Sequence, residues 1–242
     1  MGDPVRALEA IMPKDAVCVE IFREGAGEDY EPELFPAELE AIEGSTRGRR
    51  REFAAGRSCA RRALQHVGVS AGSIPMGKDG APLWPRGIVG SITHKRDYRA
   101  AVAARSTSLA AIGLDAELNE PLPATVLNSI ALPDERTTVA RLLETLDGIA
   151  WDRLLFSAKE AALKAAYWLA AEKPDLRSTS IELDAKTSSF RARPAGRNAG
   201  GCTKATPELT GRWVVRGELL TVVASAPVST QSETHSSSSR FQ

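Results

Sequence analysis

The chain has 242 residues, in which 31 lysine and arginine side chains balance 31 aspartate and glutamate side chains. This length suits one large domain or two small ones with a real core. The absence of net charge argues against a general nucleic-acid binder, so any site for a polyanion must be local. No apolar run approaches about 18 residues, and the N-terminus lacks an apolar signal core, which predicts a cytoplasmic protein without membrane association.

Three cysteines and three histidines are scattered through the chain. Cys18, Cys59 and Cys202 are too few for a disulfide framework, and the histidines do not have the spacing of zinc ligands. We therefore expect reduced, structural cysteines and no zinc site.

Hydrophobic periodicity and turn-forming residues define the elements of the first half. The predicted elements are a strand at 17–22, a helix at about 46–67 closed by Gly68, a loop at 77–87, and strands at 89–94 and 98–104. The helix brings Arg50, Arg57 and Arg61 close together on one side. Such a cluster is usually a solvated face, so the pattern by itself leaves a surface and an anion site both open.

The segment from Ser108 to Glu117 is an apolar run of strand length that ends in acidic residues. Because successive strand side chains alternate between faces, Asp115 and Glu117 point the same way. Two neighbouring carboxylates repel each other unless a cation lies between them. The pair therefore indicates a cation site.

Apolar positions at spacings of three and four predict an amphipathic helix from Trp151 to Trp168. Glu160 and Lys164 are four residues apart and share one side of it, while Lys159 projects about 100° around from Glu160. A Glu and a Lys at this spacing are commonly an ordinary surface pair. One helix carboxylate added to the strand pair also gives three hard oxygen ligands, which suit Mg²⁺.

The remaining segments complete a mixed pattern. They predict a helix at 135–146, short strands at 180–183 and 189–192, a flexible connection at 193–206, a hairpin of strands 213–215 and 219–224 with a three-residue loop, and a disordered tail from 229.

Two of these segments together resemble the paired signature of the 4′-phosphopantetheinyl transferases. They are Gly113-Leu114-Asp115-Ala116-Glu117 and, about forty residues later, Phe156-Ser157-Ala158-Lys159-Glu160-Ala161-Ala162-Leu163-Lys164. Segments nearer the N-terminus, at 49–61, 77–87 and 90–94, resemble the broad-specificity branch that activates siderophore, polyketide and peptide synthetases. The resemblance covers roughly residues 45–225.

The resemblance implies an α+β fold of two similar halves packed as a pseudo-dimer, with the active site in the cleft between them. The halves are expected at 1–110, with the coenzyme A phosphate-binding residues, and at 111–227, with the metal-binding carboxylates; 228–242 forms the Ser-rich tail. The implied reaction moves the phosphopantetheine arm of coenzyme A to a serine of an acyl or peptidyl carrier protein and releases 3′,5′-ADP. The protein is expected to act as a monomer.

The resemblance also assigns roles around the acidic residues. It implies that Asp115, Glu117 and Glu160 hold Mg²⁺, or Mn²⁺ in its place, against the pyrophosphate. Lys159 and Lys164 are expected to add positive charge there. Asp115, Glu160 and Lys164 form the expected catalytic set, and the serine proton goes either to Glu160 or to a metal-bound water.

Coenzyme A is expected to bind mainly to the first half. By resemblance, Arg49 and Arg57 hold the 3′-phosphate, for which the guanidinium fork is suited. Thr93 and His94 are expected to contact coenzyme A, with His94 donating a hydrogen bond to phosphate. Relatives can carry a phosphate-binding lysine at the position of Met76, and Lys78 is the expected substitute here.

Two other functions remain open at the level of sequence. A magnesium-dependent phosphodiesterase acting on a nucleotide can use the same three carboxylates with water as the nucleophile. A non-catalytic module can keep the fold and bind coenzyme A or a carrier protein. Only a transferase adds the arm to a carrier protein.

Overall fold

The computed structural model describes residues 8–22, 29–169, 175–194 and 208–228. Cys202, positions 195–206 of the predicted connection, and the tail from 229 lie outside the described residues, so those predictions are not examined by the structure.

Five helices and eight strands lie in the described ranges. The helices are α1 (Pro36–Glu40), α2 (Arg47–His66), α3 (Ala124–Ile130), α4 (Pro133–Thr145) and α5 (Trp151–Ala166). The strands are β1 (Ala16–Phe22), β2 (Ile88–Lys95), β3 (Tyr98–Arg105), β4 (Leu109–Leu118), β5 (Thr179–Asp184), β6 (Ser189–Pro194), β7 (Leu209–Arg216) and β8 (Leu219–Pro227). The predicted α+β class is confirmed.

The strands form two antiparallel sheets. One has three strands in the order β1-β3-β2, and the other has five in the order β4-β8-β7-β6-β5. Helix α2 packs against the first sheet and α5 against strands β4 and β8 of the second. Each sheet therefore has one long helix on it.

The edge strands β2 and β4 lie side by side and join the two sheets. The Ser91 hydroxyl donates to the carbonyl of Leu114 at 3.5 Å. Just beyond α5, the indole N–H of Trp168 donates to the carbonyl of Gly90 at 3.2 Å. Apolar residues of β3 and β4 belong to one buried cluster, so the core continues from one sheet to the other.

Local sequence explains where α2 begins and ends. The Thr46 hydroxyl accepts a hydrogen bond from the backbone N–H of Arg49 and caps the first turn. Gly68 has φ +73°, a left-handed conformation that glycine adopts without strain, and it stops the helix. Both ends agree with the predicted helix.

The hairpin between β7 and β8 is tighter than predicted. Arg216 pairs with Leu219, so only Gly217 and Glu218 form the turn, instead of three residues. Gly217 has φ +56°, which such tight hairpin turns need. None of the helices in the described ranges is long and apolar enough to cross a membrane.

Candidate active site

Gly113 lets strand β4 lie directly against helix α5. A Cβ atom at this position would lie 2.0 Å from the carbonyl oxygen of Ala161 and 2.6 Å from the backbone nitrogen of Ala165. No side chain fits in that space, because both neighbours are backbone atoms of the helix. The contact brings the acidic end of β4 next to the last turn of α5.

Asp115 is the centre of the resulting polar cluster. It is buried, and its Oδ1 lies 2.7 Å from the ammonium of Lys164. Its Oδ2 accepts a hydrogen bond of 2.7 Å from the hydroxyl of Ser157. Lys164 also donates to the carbonyl of Leu114 at 3.1 Å. The structure thus brings together the predicted residues Asp115 and Lys164.

Glu117 lies two residues further along β4 and is also paired with cations. Its Oε2 is 2.6 Å from the ammonium of Lys95 and 3.2 Å from the guanidinium of Arg153. Arg153 also donates to the backbone carbonyls of Glu120 and Pro121. Because Lys95 ends β2, its ion pair with Glu117 links the two sheets.

Three of these partners were not identified from the sequence. Lys95 follows directly after the His94 motif, which is the only signal of its role. Ser157 and Arg153 lie on α5 at positions that pair with strand residues about forty positions earlier, and no local spacing shows such a contact. The tertiary fold alone brings them together.

A cavity of about 370 Å³ lies between strand β2 with the preceding loop and the end of helix α5, next to this cluster. Glu160 and Lys164 line it, as predicted for residues four apart on one helix face. Gly90 lies under the indole of Trp84, where a Cβ atom would come within 2.5 Å of the ring. The other lining residues include Asp79, Trp84, Ser91, Leu163, Tyr167 and Trp168. The cavity therefore combines a charged end with aromatic walls.

The predicted convergence of three carboxylates on one metal ion is not confirmed. In the described part of the chain, no three His, Cys, Asp or Glu side chains are gathered closely enough to form a metal site. Asp115 and Glu117 are neutralised by lysine and arginine side chains instead. Asp115 and Glu117 still suit a hard cation, because their carboxylate oxygens already face positively charged groups.

Lys159 lies about 100° around α5 from Glu160 and is not one of the residues that line the cavity. Its side chain is fully buried, with the ammonium 2.9 Å from Oε2 of Glu135. It also donates to the carbonyls of Leu176 at 2.9 Å and Thr179 at 2.5 Å. Burial lowers the pKa of Lys159, and Glu135 counteracts this effect. Its position does not support the predicted contact with the pyrophosphate, since the 100° step from Glu160 turns it inward.

Arg49 and His94, which are both predicted to contact coenzyme A, lie next to each other. The Arg49 guanidinium lies 3.3 Å from Nε2 of His94, and a Glu52 carboxylate oxygen lies 3.4 Å from the same nitrogen. Burial lowers the pKa of His94 and Glu52 opposes the shift. A guanidinium and an imidazole thus face solvent side by side at the junction of α2 and β2.

Arg57 lies further along α2, on its buried side. Its guanidinium is buried, donates through Nε to the carbonyl of Ile74 at 2.7 Å and lies 4.1 Å from the centre of the Phe53 ring. Burial lowers its pKa to about 10. Part of this side chain is therefore committed to the fold.

The two remaining predicted contacts differ in exposure. Thr93 is buried, whereas Lys78 is exposed in the turn that also carries Asp79. Asp79 lines the cavity, and Lys78 is not one of the lining residues. The structure does not bring Lys78 to the acidic cluster.

Comparison with known proteins identifies the family of the chain. Residues 37–104 match the family model of the 4′-phosphopantetheinyl transferase N-terminal domain, and residues 111–215 match that of the 4′-phosphopantetheinyl transferase superfamily. The chain is 38% identical to 4′-phosphopantetheinyl transferase Svp of Streptomyces mobaraensis, over 93% of this chain and 92% of the relative.

Two further relatives extend the likeness over most of their lengths. Identity is 39% to 4′-phosphopantetheinyl transferase Npt of Nocardia iowensis, over 90% of this chain and 100% of the relative. It is 37% to 4′-phosphopantetheinyl transferase PptT of Mycobacterium tuberculosis, over 89% and 95%. The chain therefore belongs to the 4′-phosphopantetheinyl transferase superfamily, and it is an enzyme that transfers the phosphopantetheine arm of coenzyme A to a carrier-protein serine.

Proposed function

We propose that the reaction takes place between β4 and α5, beside the cavity that Glu160 and Lys164 line, and that the acceptors are acyl and peptidyl carrier proteins. The observation that carries this proposal is the 2.7 Å contact between Asp115 and Lys164. It puts a carboxylate and a partly exposed cationic group next to a cavity that can hold a flexible arm. We further propose that the protein acts as a cytoplasmic monomer without nucleic acid or membrane.

The 3′-phosphate of coenzyme A is proposed to bind at Arg49 and His94. Their side chains lie 3.3 Å apart, so one phosphate can accept hydrogen bonds from both. Arg57 is proposed to support this site from about two turns further along α2, where its positive charge is partly desolvated. Thr93 is proposed to orient the end of β2 beneath the ligand, and Lys78 to approach the pyrophosphate from the exposed turn.

The carboxylates Asp115, Glu117 and Glu160 are proposed to hold Mg²⁺, with Mn²⁺ as a substitute. When bound, the ion supplies Lewis-acid polarisation of the pyrophosphate and neutralises its charge. Binding requires Lys95 and Lys164 to give up contacts with the carboxylates, since both ammonium groups now neutralise them. The freed Lys164 can then turn its charge toward the substrate.

The chemical step forms one phosphorus–oxygen bond and breaks another. The serine oxygen attacks the β-phosphorus of coenzyme A, and 3′,5′-ADP leaves with the bonding electron pair. The serine proton must leave during the attack, and Glu160 is proposed to accept it because it lines the cavity. Lys164 stabilises the charge that develops on the leaving group.

Mass spectrometry of a carrier protein tests this function directly. The enzyme is incubated with coenzyme A, Mg²⁺ and either an acyl or a peptidyl carrier protein. We expect the carrier to gain the mass of one phosphopantetheine arm, and a carrier with alanine in place of the acceptor serine to gain none. Release of 3′,5′-ADP without any gain of mass by the carrier would overturn the proposal and indicate hydrolysis. Glu160→Gln is the matched inactive control.

A further inference from the structure

Glu135 is a buried carboxylate that ties three elements together. It lies in the first turn of α4, and its Oε2 accepts a hydrogen bond from the backbone N–H of Leu132 at 2.7 Å. Its Oε1 accepts one from the N–H of Ile181 in β5, also at 2.7 Å. The ammonium of Lys159 on α5 completes the set at 2.9 Å. Both carboxylate oxygens are therefore fully used inside the protein.

The first half of the chain contains the same arrangement. Glu38, which is completely buried, accepts from the N–H of Phe35 at 2.9 Å and from the N–H of Ile74 at 2.8 Å. The guanidinium of Arg61 on α2 lies 3.0 Å from Oε2 of Glu38. In both places a helix that starts with proline supplies a glutamate from its first turn, and the next helix along the chain supplies the cation.

This correspondence gives Lys159 the role that Arg61 has in the first half. A buried ammonium with one carboxylate and two carbonyl partners is fully satisfied, and moving it to a ligand would leave Glu135 buried without its cation. Lys159 directly precedes Glu160 on α5. Because adjacent helix residues are about 100° apart, fixing one side chain inside the protein fixes the direction of the other.

We propose that Lys159 and Glu135 are a positioning pair, which sets the rotation of α5 so that Glu160 and Lys164 face the cavity. Lys159 then does not bind coenzyme A. This inference rests on the roles proposed above for Glu160 and Lys164. It predicts that the pair affects turnover and leaves the affinity for coenzyme A unchanged.

Three variants test the pair: Lys159→Met, Glu135→Gln and the double variant. Calorimetry gives the dissociation constant of coenzyme A, and the mass assay gives kcat and KM with a carrier protein. We expect each single variant to lower kcat on the order of 10–100-fold, since small misplacements of reacting groups have effects of this size. The dissociation constant of coenzyme A should stay within about twofold of that of the unchanged enzyme.

The double variant and two further variants separate a positioning role from a loss of charge. The double variant should be no slower than the slower single variant, because both changes break the same contact. Lys159→Arg keeps the positive charge and should recover part of the kcat lost in Lys159→Met. Lys186→Met removes an exposed lysine from the turn after β5 and should leave both constants unchanged.

A rise of about tenfold or more in the coenzyme A dissociation constant for Lys159→Met, absent from Glu135→Gln, would show that Lys159 is a ligand after all. Normal kcat in both folded single variants would also overturn the proposal. If Lys159→Met does not fold, Glu135→Gln gives the same measurements with the side-chain volume retained. Failure of the unchanged enzyme to modify any carrier would instead count against the proposed function.

Discussion

The ammonium of Lys164 lies 2.7 Å from Oδ1 of Asp115, which joins the last turn of α5 to β4. Asp115 is largely buried, while Lys164 is about one-third exposed and borders the cavity. The two side chains form an ion pair, and this contact holds the lysine beside the space where the substrate's phosphates are proposed to bind.

Asp115→Asn should separate the charge of this carboxylate from its packing. We expect transfer to fall at least about 100-fold and the free energy of unfolding to fall by about 2 kcal/mol, because a hydrogen-bonded ionic contact is weakened. The mass assay and urea unfolding measure the two effects. Ser157→Ala removes only the neutral hydrogen bond to Oδ2 and should leave transfer within a few-fold. An equal loss of transfer in Asp115→Asn and Ser157→Ala would mean that transfer does not depend on the negative charge of Asp115.

Gly113→Ala should push β4 and α5 apart. The new Cβ would lie 2.0 Å from a helix carbonyl oxygen, and neither backbone can move without disturbing the core. We expect a loss of stability of about 3 kcal/mol together with loss of transfer, as for other overpacked sites. Gly72→Ala is the control, because no heavy atom lies near its added Cβ and its backbone conformation is ordinary. Normal activity in Gly113→Ala would show that this close approach is not needed.

Arg49→Ala should weaken the binding of coenzyme A by about tenfold, with little effect on dephospho-coenzyme A, which lacks the 3′-phosphate. Arg57→Ala should show the same selectivity and, in addition, a lower melting temperature, since Arg57 also bonds Ile74 and covers Phe53. Calorimetry with both ligands and a thermal melt measure these effects. Equal losses for the two ligands would remove the arginine concerned from the phosphate site.

His94 should take up a proton when coenzyme A binds. Burial holds the pKa of His94 below its ordinary value of about 6.5 in the free protein, so the ring is mainly neutral at pH 7. A phosphate next to the ring favours the imidazolium and raises this pKa. Calorimetry at pH 7 in two buffers with different heats of ionisation measures the uptake, which should be absent in His94→Gln and with dephospho-coenzyme A.

The lowered pKa of His94 also determines how the stability of the ligand-free protein depends on pH. A histidine with a lowered pKa in the folded state binds fewer protons than in the unfolded chain. Its contribution to stability is therefore fully present above pH 6.5, and it is lost as the pH falls through the lowered pKa. The difference in stability between the unchanged enzyme and His94→Gln should follow this pH dependence.

Lys95→Met should make Mg²⁺ bind more readily. Lys95 occupies Oε2 of Glu117, so an incoming cation has to displace it. We expect half-maximal transfer at about threefold lower Mg²⁺ and a larger rise in melting temperature on adding the ion. Glu117→Gln should raise the Mg²⁺ requirement instead. An unchanged Mg²⁺ titration in both variants would show that Glu117 is not part of the proposed metal site. Full activity in EDTA would show that transfer does not need the metal.

Local patterns predicted α2 and α5 well, because Thr46 and Gly68 mark the ends of α2 and the apolar spacing marks α5. They could not predict that β4 pairs with β8 in the second sheet, because that contact joins segments about a hundred residues apart. Helix geometry predicts the side of α5 on which Lys159 lies. The sequence does not show that Glu135 is its buried partner. The lysine and arginine side chains that pair with Asp115 and Glu117 likewise come from distant elements. The spacing of the carboxylates along the sequence therefore could not predict these ion pairs.

Strands β3 and β4 are separated by only Ser106, Thr107 and Ser108. This short link joins the half with Arg49 and His94 to the half with Asp115 and Glu160. Under the proposed function these residues hold the 3′-phosphate and the pyrophosphate of one coenzyme A molecule, so neither fragment of a chain cut here would contain a whole site. The link and the contacts between β2 and β4 together set the distance between the two phosphate sites.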